Sequence, residues 1–221
     1  AQDERFGTSV ALWQDQLAVG VPAADSVALY RHVGSGVFQF RRTLTVPGGG
    51  AGSRFGAALA MADGELLIGA PEAEGSGAVY ISRLVGGDWS DAIRAPLAAA
   101  PQSELGAALA IDNGIALAGA PGGGTGAAWI LVRDGNGWIG AGTLSAPGLT
   151  PGDRFGNAVA LDSQRAAVAA VGANGAEGLL LVYARSGAQF TEADRIQMLD
   201  GGNADRLGAS VTLAPDGLLV G

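Results

Sequence analysis

The chain has 221 residues, a formal net charge of -8, 48% hydrophobic residues and no cysteine, so it can bury a core without disulfides or thiolate metal sites. All 13 basic residues are arginines and, apart from Arg41-Arg42, they stand singly; phosphate recognition needs clustered cations, so no nucleic-acid partner is predicted. The uncharged stretch 114–132 is interrupted by Pro121 and three glycines, which read as a turn between strands, so no transmembrane segment is predicted either.

At the amino terminus, Ala1-Gln2-Asp3-Glu4 resembles what a signal peptidase leaves behind small residues, the alternative being an arbitrary chain start. With the absence of cysteine, it predicts an exported bacterial protein, secreted or at the cell surface. A first unit opens at Arg5-Phe6-Gly7, reaches Gly20-Val21-Pro22 and carries Phe38 further on. A second opens at Arg54-Phe55-Gly56. It continues through an apolar run at 57–61, the hairpin signal Asp63-Gly64, a run at 66–68 closed by Gly69-Ala70-Pro71, a third run at 78–81 and a more polar fourth run from Trp89 to about Leu97. The third unit repeats this from Glu104-Leu105-Gly106 to Gly119-Ala120-Pro121 and Trp138. In the fourth, Arg154-Phe155-Gly156 is followed by Ala169 where the others have glycine, with Gly172-Ala173-Asn174 displaced, which predicts a rebuilt turn. A fifth begins at Arg206-Leu207-Gly208 and reaches Gly221.

A period of about fifty residues means a repeat architecture. Four short strands per unit, small residues in the first two and aromatic or charged residues in the outer two, predict an all-β fold. The expected architecture is a β-propeller of four-stranded antiparallel blades, because inner strands crowd toward the axis. The units are read as one propeller region, 1–221, with blades at 5–53, 54–103, 104–153 and 154–205 and a partial fifth at 206–221. Helical solenoids are disfavoured by the lack of a sustained i, i+4 pattern.

Phe-Gly at 6, 55 and 155, Gly-Ala-Pro at 69 and 119, Gly-Ala-Val-Tyr at 77–80 and Trp89 together resemble the FG-GAP repeat family of integrin α-subunit heads and bacterial surface proteins. The signature positions are Phe6, Gly7, Gly20, Phe55, Gly56, Gly69, Pro71, Leu105, Gly106, Gly119, Pro121, Phe155, Gly156, Leu207 and Gly208. The resemblance implies a propeller of about seven blades. The chain is therefore read as a fragment, its missing blades supplied by the rest of a longer protein, or as an open propeller closed by another copy or another partner.

The calcium loop that many such repeats carry needs alternating oxygen ligands. Asp134-Gly135-Asn136-Gly137-Trp138 puts an indole where a third ligand belongs, and Asp200-Gly201-Gly202-Asn203-Ala204-Asp205 is unevenly spaced, so neither metal nor other cofactor is predicted. Gly122-Gly123-Gly124-Thr125-Gly126 lacks the lysine of a phosphate loop and is read as a turn. The arginines at 5, 54, 154 and 206, preceded by Asp3, Asp153 and Asp205, are read chiefly as pairing neighbouring blades, and otherwise as a cationic ring. Trp89, Trp138 and Trp129 are read as packing. His32 stands without partners for a metal site or a triad, and Asp112 and Asp162 are read as hairpin residues.

Segments unlike their siblings are the loops 172–177 and 72–76 and the weak binding candidates Trp13, Arg31, Arg41 and Arg42. No titratable set is seen to converge on one end of the axis while breaking the repeat. The sequence therefore predicts a noncatalytic extracellular binding or scaffold module that recognises a protein or glycan. The alternatives are an accessory domain of a secreted enzyme, or a protein that self-assembles to close its propeller.

Overall fold

A computed structural model describes residues 5–135, 137–198, 205–214 and 216–221. The amino-terminal residues 1–4, Asn136, residues 199–204 and Pro215, which include Asp3 and most of the run 200–205 considered for calcium, lie outside the described residues. The chain is all-β, built of antiparallel sheets whose strands pair in sequence order, except that both short pieces ending the second sheet pair with its third strand. The first sheet holds β1 (Val10–Trp13), β2 (Gln16–Val21), β3 (Ser26–His32) and β4 (Phe38–Thr45). The second holds β5 (Ala58–Ala62), β6 (Glu65–Ala70) and β7 (Ala78–Val85), followed by two short pieces, β8 (Asp88–Trp89) and β9 (Ile93–Arg94). The third holds β10 (Ala108–Asp112), β11 (Ile115–Ala120), β12 (Ala127–Asp134) and β13 (Gly137–Leu144); the fourth holds β14 (Phe155–Leu161), β15 (Arg165–Ala170), β16 (Leu179–Ser186) and β17 (Gln189–Ile196). The last described pair is β18 (Val211–Ala214) with β19 (Gly217–Val220). Among the described residues no helix is long and apolar enough to cross a membrane.

The first strands of successive sheets, β1, β5, β10, β14 and β18, neighbour one another and so lie innermost, which makes the arrangement propeller-like. The second strands of the first four sheets are almost wholly buried, while β4, β13 and β17 are mostly exposed. This is the predicted gradient of polarity from inside to outside. The inner hairpins Asp63-Gly64 and Asn113-Gly114 take positive φ at both positions, the type I′ geometry that matches strand twist.

Alternation along each strand sends residues to the two faces of a blade, and four cores fill the seams. Ala18, Val27 and Leu29 of the first sheet meet Leu66, Ile68 and Tyr80 of the second. Leu67, Val79 and Ile81 meet Ala116, Ala118 and Leu131, Leu117 and Ile130 meet Val168 and Leu181, and Ala167 and Leu180 meet Val211 and Leu218. Phe55, Leu105 and Phe155 are 0%, 1% and 0% exposed, each covered by the preceding sheet. Gly77 bridges to Leu105 and Gly126 to Phe155 in parallel pairs. Phe6 is 62% exposed, because its face of the first sheet has no described neighbour.

The recurring glycines have one steric cause. A Cβ on Gly20 would stand 2.1 Å from the carbonyl oxygen of Gly56, one on Gly69 1.9 Å from that of Gly106, and one on Gly119 2.0 Å from that of Gly156. The glycine ending each second strand therefore lies against the Phe-Gly or Leu-Gly glycine of the next blade. At the fourth seam Ala169 replaces the first partner, and its methyl takes up the space in which a Cβ on Gly208 would sit, 2.5 Å away.

The turn of the fourth unit is rebuilt. Ala169 keeps its ladder place opposite Leu180, as Gly69 does opposite Val79, and Ala73 and Ala173 are both buried, but a short α-helical turn, Ala173–Ala176, stands where the second unit has the 3-10 turn Ala73–Gly75, and Gly178 N donates to the Ala173 carbonyl where Gly77 N donates to that of Ala73. The fourth strand of the second sheet falls in two pieces, β8 and β9, both against β7, with Ser90 N donating to the Arg83 carbonyl between them.

The linker between the first two sheets is fastened by Asp25. Its carboxylate accepts from Gly52 N (2.6 Å), Ser53 Oγ (2.7 Å) and Phe55 N (3.1 Å). Partial burial works to raise its pKa, but these donors outweigh it and hold the carboxyl below its ordinary value. The folded pKa lies under the unfolded one of about 3.9, so this stabilisation is complete above that value and disappears as pH falls through the folded pKa. Urea denaturation from pH 6 down to pH 3 should show Asp25→Asn less stable than the parent at pH 6, with the gap closing toward pH 3. In the same assay at pH 7, Gly69→Ala should lose about 3 kcal/mol through backbone overpacking. Gly50→Ala, whose Cβ would meet only the end of Val46 at 3.6 Å, should lose well under half of that.

Candidate active site at the mouth of the inner strands

Each inner strand is entered through the same tight turn. Arg54, Glu104 and Arg154 take φ of 55°, 57° and 60°, and their carbonyls accept from Ala57, Ala107 and Asn157. A left-handed conformation costs a non-glycine residue roughly 1–2 kcal/mol. Here the buried Phe or Leu that follows and the bridging backbone hold it in place. The turns project Arg54, Glu104 and Arg154 from three adjacent blades toward one end of the axis.

Glu72, just past the end of β6, joins them, and the four side chains with Ala57, Pro71 and Ala107 line a cleft of about 270 Å³. Arg154 donates to Glu104 across the seam between blades at 2.9 Å, and Arg54 donates to Glu72 at 3.4 Å. All four side chains are roughly half exposed, so water screens the pairs and each is worth no more than about 1 kcal/mol. A ligand can therefore exchange them at small cost. Two carboxylates supply general acid–base or nucleophilic groups, and two guanidiniums supply paired donors for an anion or a developing oxyanion.

The mouth also overturns an expectation, since a titratable set does converge there while breaking the repeat. Glu104 replaces the arginine of the other units, and Glu72 occupies the place of Ala23, Gly122 and Gly172. The substitution at 104 is legible in the alignment of units; what it faces is not. The inter-blade pairing predicted for the arginines is made by Arg154, whereas Arg54 pairs within its own blade. Asp153 accepts from the N–H and hydroxyl of Thr150 instead of an arginine.

The other singled-out residues serve the scaffold. Trp13 is half-buried, its ring 3.9 Å from where a Cβ on Gly64 would stand, so it is no open stacking platform. Arg31 donates to Asp15 at 2.7 Å, and this bond, followed by one from Gln16, holds the Asp15 carboxyl below its ordinary value. Arg42 donates to the Trp89 carbonyl oxygen at 2.7 Å and to Asp91 at 2.5 Å. Arg41 is exposed and reaches Gln39, and His32 lies against Phe38 with ring centroids 5.2 Å apart. Trp89 and Trp138 are buried in the first and second seams and Trp129 packs against the second.

At the other end of the inner strands, Asp162 caps its hairpin by accepting from Gln164 N and Arg165 N, and Asp112 accepts from Arg185 at 2.7 Å. Glu65, only 2% exposed, accepts from Trp138 Nε1 at 3.0 Å and Arg83 Nε at 2.9 Å, and pairs with Arg133 at 3.1 Å. Among the described residues no group of three or more His, Cys, Asp or Glu is arranged to hold a metal ion.

No protein-family model matches the chain, and no curated protein matches it in sequence. Solved structures do match. The Pseudomonas aeruginosa periplasmic gluconolactonase PpgL is 13% identical with a TM-score of 0.66 over 97% of this chain and 64% of its own. A protein of unknown function from Desulfotomaculum acetoxidans gives 13% and 0.66 over 100% and 63%. The Trypanosoma rangeli sialidase, solved with the inhibitor DANA, gives 15% and 0.54 over 85% and 38%. The chain thus spans somewhat under two thirds of the length of the first two. At such identities the likeness concerns the fold. It nonetheless corrects the reading of a noncatalytic binding or scaffold module, because two of these propeller-like relatives in shape are enzymes and the mouth carries the polar set that such a module was expected to lack.

The two kinds of carboxylate should separate in urea denaturation at pH 7. Glu65→Ala, which strands two guanidiniums and an indole N–H, should cost about 3 kcal/mol, and Glu104→Gln under about 1 kcal/mol.

Proposed function

We propose that this chain supplies the inner mouth of an exported propeller enzyme that hydrolyses a sugar derivative which either carries a carboxylate or gains negative charge on oxygen as it reacts. The observation that carries this reading is the meeting of the repeat-breaking Glu72 and Glu104 with Arg54 and Arg154 in one cleft. In it, the guanidiniums bind a substrate carboxylate or the oxygen that gains charge. Glu104, freed from Arg154 by that exchange, moves the proton or attacks the carbon, with Glu72 on the facing wall. The gluconolactonase and the sialidase support the substrate class by their names, each denoting hydrolysis of a sugar derivative.

The finer architecture belongs to the same reading. It is an FG-GAP propeller of about seven blades, of which this chain holds four and the opening hairpin of a fifth. The close glycine contacts at three seams support it, as does the share of the gluconolactonase chain that is matched.

The test uses the full-length protein with glucono-δ-lactone, followed by proton release, and with a fluorogenic sialoside. Turnover of either above the uncatalysed rate is expected, with Glu104→Gln lowering kcat about 100-fold or more at an unchanged melting temperature. Binding without turnover, weakened by Arg154→Gln, would place the chain beside a separate catalytic domain. Turnover that Glu104→Gln leaves intact would remove the mouth from the chemistry.

A further inference from the structure

Three clefts join into one groove that leads outward from the mouth. The mouth cleft shares Glu72 with a cleft of about 160 Å³ that also holds Glu74 and Tyr80. That one shares the linker residues Val46, Pro47, Gly49, Gly50 and Ala51 with a cleft of about 640 Å³, which reaches Arg42 and Asp91 on the outer part of the first seam. The groove therefore runs from Glu72 along the first two sheets and crosses the linker between them.

The composition of that linker keeps the crossing open. Six residues before the buried Phe55, Leu105 and Phe155 stand Gly49, Ala99 and Leu149. Ala99 and Leu149 pack on the cores of their own seams. Gly49 has no side chain to lay down, and a Cβ on it or on Gly48 would meet no described atom within 4 Å beyond its chain neighbours. Both ends are fixed. Gly49 N donates to the Val46 carbonyl at 3.1 Å, and Asp25 holds Gly52, Ser53 and Phe55, so the linker is a low, stationary sill.

Along the groove stand three ion pairs: Arg54 with Glu72 at 3.4 Å, Arg94 with Glu74 at 2.6 Å and Arg42 with Asp91 at 2.5 Å. Register turns Arg94 toward the first seam, because it lies opposite Tyr80, a member of that seam's core. The six side chains are between 38% and 89% exposed, and each guanidinium and carboxylate keeps donors or lone pairs that its partner leaves unused. Charge cancels pair by pair, so the groove beyond the mouth favours neither anion nor cation. It suits a group that donates and accepts at once, which a hydroxyl does, and the outer cleft has the volume of an ordinary ligand site. Resting on the reading of the mouth as a hydrolytic site, we propose that its substrate is the end unit of an oligosaccharide whose following, uncharged sugar units lie over the glycine sill and reach Arg42 and Asp91.

The probes are gluconate and two tetrasaccharides ending in gluconate, maltotetraonate and cellotetraonate, titrated by calorimetry into the full-length protein. They hold no lactone to open, so binding is read apart from turnover. At least one tetrasaccharide should bind tenfold or more tighter than gluconate. Gly50→Leu, at a position outside the left-handed region, raises a side chain on the sill, and Asp91→Ala removes the outermost carboxylate. Each should abolish most of the gain while leaving the affinity for gluconate and the melting temperature unchanged. Equal affinity for gluconate and both tetrasaccharides, or a gain that survives Gly50→Leu, would overturn the groove. A gain that the variants abolish, in a protein that turns over neither the lactone nor the sialoside, would uphold the groove and overturn the hydrolytic reading alone.

Discussion

Blade spacing in this protein rests on a backbone contact that admits no side chain. Where the second strand of one sheet ends, its glycine lies so near the carbonyl of the next sheet's Phe-Gly or Leu-Gly that a methyl group would stand about 2 Å from oxygen at three seams. Interiors of this density do not yield to an added carbon without moving the backbone. The contact fixes how far apart the inner strands stand. It also fixes where the preceding phenylalanine or leucine is buried and how the residue before that enters its left-handed turn.

From this follows the placement of chemistry. The turn points one side chain per blade at the mouth, so a single replacement in the series, Glu104 among arginines, creates an ion pair between blades. The opposite end and the seams use polar groups differently. Gln16 and Glu65, both buried, accept from the indoles of Trp89 and Trp138 one blade further on. These are satisfied contacts in low-dielectric surroundings that hold register, whereas the pairs at the mouth are wet and exchangeable. The contrast in solvation, more than the identity of the residues, separates scaffold from candidate site.

Similarity in shape without similarity in sequence fits such a scaffold. Small residues and glycines are demanded only where backbones touch, and the remaining positions need only be apolar and of about the right volume. A propeller-like arrangement can thus persist at 13% identity while loops and mouths take on different chemistry, and function has to be argued from the site itself.

The sequence by itself determined the unit. Its fifty-residue period, the four strands, the inside-to-outside gradient and the glycine positions all follow from local alternation and from turn chemistry that neighbouring residues impose. It also showed that the turn after Ala169 departs from its siblings, because the displaced Gly172-Ala173-Asn174 leaves one more residue before the next strand than the second unit has. Only tertiary structure decided the rest. Glu104 faces Arg154 fifty residues away, and Trp138 reaches Glu65 across a seam. Those relations depend on distances between blades, and no spacing along a single unit encodes what the neighbouring unit places opposite it.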